Sequence, residues 1–211
     1  ALAKNEATKT YDTLREAIRI NPFVDRYHST NARVNLALAN AIAQKAAPQA
    51  GANQQAESPS GQLTDDDRNN ITLLIQQAIA EGKATVALNP LRAGNWETLG
   101  AVYRAIMNLA QGADSFAVQT YRQAVALDPI NPNLRIALGG IHYTRGDFEG
   151  AVRVFELAAQ AKADLANAHF NLAFALRDNK ELDRAIQEMT LVLSLINDKN
   201  GNDYKVAKQA L

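Results

Sequence analysis

Pairs of chemically similar residues return 34 positions apart along the C-terminal half of the chain: Leu138 and Leu172, Gly139 and Ala173, Ala151 and Ala185, Phe155 and Met189, Ala158 and Val192. Self-similarity at such a period marks a stack of supersecondary units, each burying its apolar face only against its neighbours. Within one period the apolar residues fall on two runs of helical spacing. These are parted by Arg145-Gly146-Asp147 in one unit and by Asp178-Asn179-Lys180 in the next, where Gly146 and Asn179 suit a left-handed backbone. The unit is therefore a pair of antiparallel helices. Gly100, Gly139 and Ala173 are expected to face Ala117, Ala151 and Ala185 across the hairpins, with Leu99, Leu138 and Leu172 filling the groove and Tyr121, Phe155 and Met189 as large knobs.

With Ala93 as position 1, Trp96, Leu99, Gly100 and Tyr103 fall at positions 4, 7, 8 and 11. A turn lengthened over Asn108–Ser115 follows, and then Ala117, Tyr121, Ala124 and the helix-ending Pro129. These eight residues resemble the tetratricopeptide repeat family. In the units starting at Pro132 and Ala166, Arg135 stands in place of the Trp, His142 in place of the Tyr, and Ala163 and Asn197 in place of the terminal Pro. The resemblance implies an all-α, right-handed superhelical solenoid of about ten helices, with residues 1–211 forming one array.

The same grammar extends to both ends. Val86-Ala87-Leu88-Asn89-Pro90 mirrors Val125-Ala126-Leu127-Asp128-Pro129, so Ile71 to Leu88 reads as a second helix with Ala78 at the small position. Asn35-Leu36-Ala37-Leu38-Ala39 mirrors Asn171-Leu172-Ala173-Phe174-Ala175, so Asn31 to Lys45 reads as the matching first helix. Between them, residues 46–63 are rich in Ala, Gln, Gly, Ser and Pro, a linker-like insertion. Thr64-Asp65-Asp66-Asp67 reads as an N-cap with acids on the helix dipole. The organisation expected is a half-repeat at 6–20, a repeat at 30–90 carrying the insertion, repeats at 93–131, 132–165 and 166–199, and a half-repeat at 200–211. The first half-repeat is a second helix ending at Asn21-Pro22; the last is a first helix with Val206 and Ala207 at positions 7 and 8.

Composition narrows the function. Lys+Arg and Asp+Glu are each 22, so the basic excess of a nucleic-acid binder is missing and no nucleic-acid partner is expected. Cysteine is absent, which removes disulfides, thiol chemistry and Cys-based metal sites. No run of apolar residues is long enough to span a bilayer; the most apolar, Leu191 to Ile196, is interrupted by Ser194. The chain opens at Ala1 without a methionine, as expected of a processed precursor or a trimmed domain. His28, His142 and His169 lack metal-ligand spacing and read as packing residues. Asp65–Asp67 reads as capping, Arg145-Gly146-Asp147 as a turn and Trp96 as core. No nucleophile elbow, phosphate loop or paired-carboxylate motif is present, so no catalysis, cofactor or metal is expected.

The expected function is a non-enzymatic protein–protein interaction scaffold. Two surfaces are candidates. By the resemblance, the first helices line a concave groove, whose inward positions are Glu97, Ala101 and Arg104 in one unit, Asn133, Ile136, Gly140 and Tyr143 in the next, and Asn167, Phe170, Phe174 and Arg177 in the third. The Lys/Asn carboxylate clamp of some family members is not reproduced; the mixed groove suits an amphipathic helix or an apolar-anchored segment. The other surface is the pair of complementary half-repeats. Tyr11, Leu14 and Ile18 at one end and Tyr204, Val206, Ala207 and Leu211 at the other are expected to join copies head to tail into a filament. The alternative is a repeat domain of a larger envelope protein that holds a foreign peptide or helix in the groove. The Asn-Pro-ended helices and the long insertion also resemble repeat tails of bacterial envelope proteins of the O-antigen ligase/polymerase kind. That implies an extracellular or envelope location in a bacterium, with the cytoplasm as the alternative.

Overall fold

The computed structural model describes residues 2–44 and 63–210, with side chains from residue 9 onward. The expected insertion thus lies outside the described residues except for Leu63, and so does Leu211. Every regular element among them is a helix. One compact unit, Ala1–Ile106, holds α1 (Leu2–Ile20), α2 (Asp25–Gln44), α3 (Asp65–Leu88) and α4 (Ala93–Ala105). The other, Met107–Leu211, holds α5 (Ala113–Leu127), α6 (Pro132–Thr144), α7 (Phe148–Ala161), α8 (Ala166–Asp178), α9 (Leu182–Leu195) and α10 (Asn202–Gln209).

In the second unit α6 pairs with α7 and α8 with α9, and α8 also packs on α7. Leu172, Ala175 and Leu176 of α8 share one core with Ala151, Val152, Phe155, Ala158 and Ala159 of α7 and with Ala185 of α9. The small residue at position 8 has a different neighbour from the one the spacing predicts. A Cβ on Gly139 would lie 2.6 Å from Cε1 of Phe155, so the glycine faces the aromatic knob rather than Ala151. Ala173 likewise clusters with Met189. The physical reason is size matching: the smallest residue of one helix receives the largest of its partner, whereas two small residues facing each other would leave a void.

In the first unit α2 and α3 form the hairpin, α4 packs on both, and α1 packs on α2. Thr64 caps α3 in a capping box: its hydroxyl accepts from Asp67 N at 3.1 Å, and the Asp67 carboxylate accepts from Thr64 N at 3.3 Å. The helix expected over 31–45 begins earlier, at Asp25, and its register differs. Ala32, fully buried with Ala78 and Val102, is the small residue, while Ala37 is exposed. The mirrored Asn-Leu-Ala run misleads because Asn31 stands where α4, α6 and α8 carry leucine, and Asn35 takes a further core place one turn on. Asn31 is buried and donates to Glu81 Oε1 at 3.0 Å, and Asn35 donates to Asn31 O at 2.9 Å.

Four turns of equal length connect a second helix to the next first helix: 21–24, 89–92, 128–131 and 162–165. Position 4 of each following helix donates to the carbonyl six residues earlier. His28 Nε2 donates to Pro22 O at 2.9 Å, Trp96 Nε1 to Pro90 O at 2.7 Å, Arg135 Nη1 to Pro129 O, and His169 Nε2 to Ala163 O at 3.0 Å. Arg135 in place of the tryptophan is thus a change of side chain with the bond kept. The two histidines reach a second partner through Nδ1, His28 to Glu81 and His169 to Glu188 at 2.6 Å. In the first unit Asp25 Oδ2 also accepts from Asn95 at 2.9 Å, Arg92 at 3.3 Å and Asn89 at 3.4 Å, fastening two neighbouring turns together.

The turns inside the hairpins correct one further expectation. Gly146 has φ 74°, but the equivalent left-handed residue of the next hairpin is Lys180, at φ 71°, and Asn179 has φ −81°. The reading of that turn is one residue early. Asn179 instead donates to Glu181 Oε1 at 2.6 Å.

The Gly139–Phe155 fit is testable. Gly139→Ala gains about 1 kcal/mol of helix propensity, yet its methyl group overlaps the ring. A net loss of stability is expected by thermal unfolding, relieved when Phe155→Leu is added.

Candidate functional site

The sequence-predicted groove residues divide between the units. Glu97, Ala101 and Arg104 lie on α4 of the first unit, and the rest lie on α6 and α8 of the second. Asn133 and Asn167 are near the starts of their helices, and both are exposed. Ile136 and Tyr143 are half-buried against the α7–α8 core, and Phe170 and Phe174 against the α8–α9 core.

Tyr143, Phe170 and Phe174 come together with Gly140, Asn171 and Phe155 around an opening of about 230 Å³. A Cβ on Gly140 would meet nothing within 4 Å, so the helix backbone itself forms part of the open wall. Phe170 and Phe174 rings lie 4.8 Å apart, and the Arg177 guanidinium sits 4.5 Å from the Phe174 ring centre. Arg177 Nε donates to Asp178 Oδ1 at 2.8 Å, and the Tyr143 hydroxyl donates to Asp178 Oδ2. The Arg177 and then the Tyr143 hydrogen bond hold the Asp178 carboxyl below the usual carboxylate range; in return Asp178 pushes the Tyr143 phenol up. The result is an apolar slot with one braced cation at its edge, suited to an apolar side chain of a segment laid across α6 and α8. Asn171, which the sequence reading left out, lines it and donates to Asn167 O at 2.7 Å. Its place one turn below Phe174 was the available signal.

The terminal helices form the second candidate surface. Ten residues before the last residue of α3, α5, α7 and α9 stand Ala78, Ala117, Ala151 and Ala185, none more than 8% exposed. Six before stand Gly82, Tyr121, Phe155 and Met189, and three before stand Thr85, Ala124, Ala158 and Val192, all buried. On α1 the same places hold Thr10, which is exposed, and Leu14 and Ala17, which are half-buried. Tyr11 donates to Gln77 Oε1 of α3 at 2.8 Å, and Ile18 lies beside it along the opening between α1 and α3. On α10, whose first helical residue is Asn202, Val206 is 42% exposed. Tyr204 is half-buried. Ala207 is fully buried against Ala173, Met189 and Val192 of its own chain, so the contact expected between copies at this residue is made within the molecule.

No group of three or more His, Asp or Glu side chains able to hold a metal ion forms among the described residues. No protein-family model matches the chain, and no curated protein sequence matches it. Solved structures do. TTC0263, a thermophilic TPR protein in Thermus thermophilus, superposes with a TM-score of 0.65 at 17% identity, over 99% of this chain and 92% of that one. MamA superposes with a TM-score of 0.60 at 16% identity, over 98% and 94%. The chain has a tetratricopeptide-repeat-like fold. At these identities the likeness is one of fold.

The Asp178 brace sets a pH dependence. Its carboxyl is depressed in the folded protein, so its contribution is present above the ordinary aspartate value and lost as pH falls through the lower folded value. Asp178→Asn should lower thermal stability at neutral pH, with the difference from wild type closing as pH falls below the ordinary aspartate value of 3.8. An unchanged gap across that range would refute the brace.

Proposed function

We propose that this TPR-like chain is a non-enzymatic scaffold that associates with copies of itself end to end, α10 of one copy completing a helical hairpin with α1 of the next. The observation that carries this reading is the burial pattern. The places buried on every other second helix are only half-buried on α1, at Leu14 and Ala17, and Val206 of α10 is 42% exposed. In this reading the two faces are complementary halves of one repeat, and joining them would bury Leu14, Ala17 and Val206 fully. Such a contact is heterologous and continues into a filament unless it closes into a ring.

A second reading is favoured by the slot over Gly140. There the braced aromatic cluster would take an apolar side chain of a foreign peptide or helix. The two readings separate experimentally, since the slot residues and the end residues are different side chains.

Light scattering across a concentration series tests the proposal. Wild type should grow in mean mass with concentration, and Val206→Arg should weaken association at least about tenfold with helical content unchanged. Ala207→Arg is not equivalent, because it would unseat α10 from its own core. A monomer at every concentration, or growth that ignores Val206→Arg, would refute end-to-end association.

A further inference from the structure

The third residue of the four connecting turns is Phe23, Leu91, Ile130 and Asp164 in chain order. Phe23 is 80% exposed, Leu91 81% and Ile130 80%. Asp164 is exposed as well. The fold therefore does not need an apolar side chain at this place; an aspartate serves in the same turn. Three of the four turns nevertheless carry a large apolar group there, almost wholly in solvent.

In the first unit two of these tips are neighbours, because Asp25 ties the 21–24 turn to the 89–92 turn. The tips are also held stiffly. Pro22 O and Pro90 O accept from His28 and Trp96, and Phe23 N donates to Asn21 Oδ1 at 3.2 Å. Ile20, 70% exposed, precedes the first turn directly. The exposed charges beside them are mostly basic: Arg19, Arg26 and Arg92. Arg19 is paired with the exposed Glu16, and Arg92 with Asp25, whose side chain is turned inward at 15% exposed, so exposed guanidinium groups outnumber exposed carboxylates at this edge.

A stable protein partner requires a continuous face of about 800 Å² on each side. Separate apolar tips on polar turns do not make one. A lipid interface accepts apolar side chains singly, with guanidinium groups at the headgroup level drawn to anionic phosphates. We propose that the turn edge of the first unit is a peripheral membrane-docking surface, inserting Ile20, Phe23 and Leu91 into the interface of an anionic bilayer, with Arg19, Arg26 and Arg92 on its headgroups. No described helix is long and apolar enough to cross a membrane, and docking is to the surface. The inference does not depend on end-to-end association, which uses other faces of α1 and α10.

The test is co-sedimentation of the full chain with vesicles of phosphatidylcholine containing phosphatidylserine, beside vesicles of phosphatidylcholine alone. Wild type should pellet with the anionic vesicles and be released by raised salt. Phe23→Ser with Leu91→Ser should weaken binding about tenfold for each side chain removed, leaving the unfolding temperature unchanged because both are exposed. Arg26→Gln with Arg92→Gln should reduce the preference for anionic vesicles. The proposal is overturned if wild type stays in the supernatant, or if the double serine variant pellets as wild type does. It is overturned equally if the serine substitutions change the particle mass without vesicles, since a second copy would then be what covers the tips.

Discussion

Paired helices in this molecule approach closely only where one contributes almost no side chain. Gly139 receives the Phe155 ring, Ala173 receives Met189, and on the first unit Gly82 sits with Leu99 Cδ1 3.0 Å from where a Cβ would stand. This size matching fixes the spacing of the hairpins, and with it the burial of the leucines and alanines that flank them. It also keeps the packing within each unit local. A first helix such as α8 is satisfied by a second helix on each side, α7 and α9. On the terminal helices Leu14 and Ala17 of α1 are half-buried and Val206 of α10 is 42% exposed. The proposed association follows from that local rule rather than from any special motif.

The connecting turns obey a different constraint. Histidine, tryptophan and arginine all occupy position 4, and each places an N–H donor on the carbonyl of the preceding turn. What is kept is the bond, which ties each turn to the helix that follows it. Once the backbone is held in this way, the third turn residue carries no structural duty. It is there that Phe23, Leu91 and Ile130 stand in solvent and Asp164 serves equally well.

Periodicity made the helical hairpins legible in the sequence because burial repeats with the fold, and it does so most clearly from Ala93 onward. It failed at α2, where Asn31 and Asn35 hold core places through hydrogen bonds to Glu81 and to each other, so that a search for leucine found the wrong turn of the helix. It also misplaced the left-handed residue of the last hairpin turn, since Lys180 carries no compositional sign of positive φ. Of the candidate sites, the aromatic residues Tyr143, Phe170 and Phe174 were visible from their repeat positions. The brace through Asp178 was not, because it joins the end of α8 to a tyrosine of α6, 35 residues earlier. Ala207 carries the small-residue signal of a docking position, but its partner is its own chain, a distinction that spacing does not carry.

The central claim is that two open faces are halves of one hairpin. Sedimentation velocity on a mixture of two end-blocked variants, Leu14→Arg and Val206→Arg, tests it most directly. Each variant alone should be monomeric, and the mixture should form a one-to-one dimer and nothing larger, because one intact face remains on each. Monomers only in the mixture, or polymers in either variant alone, would contradict the account.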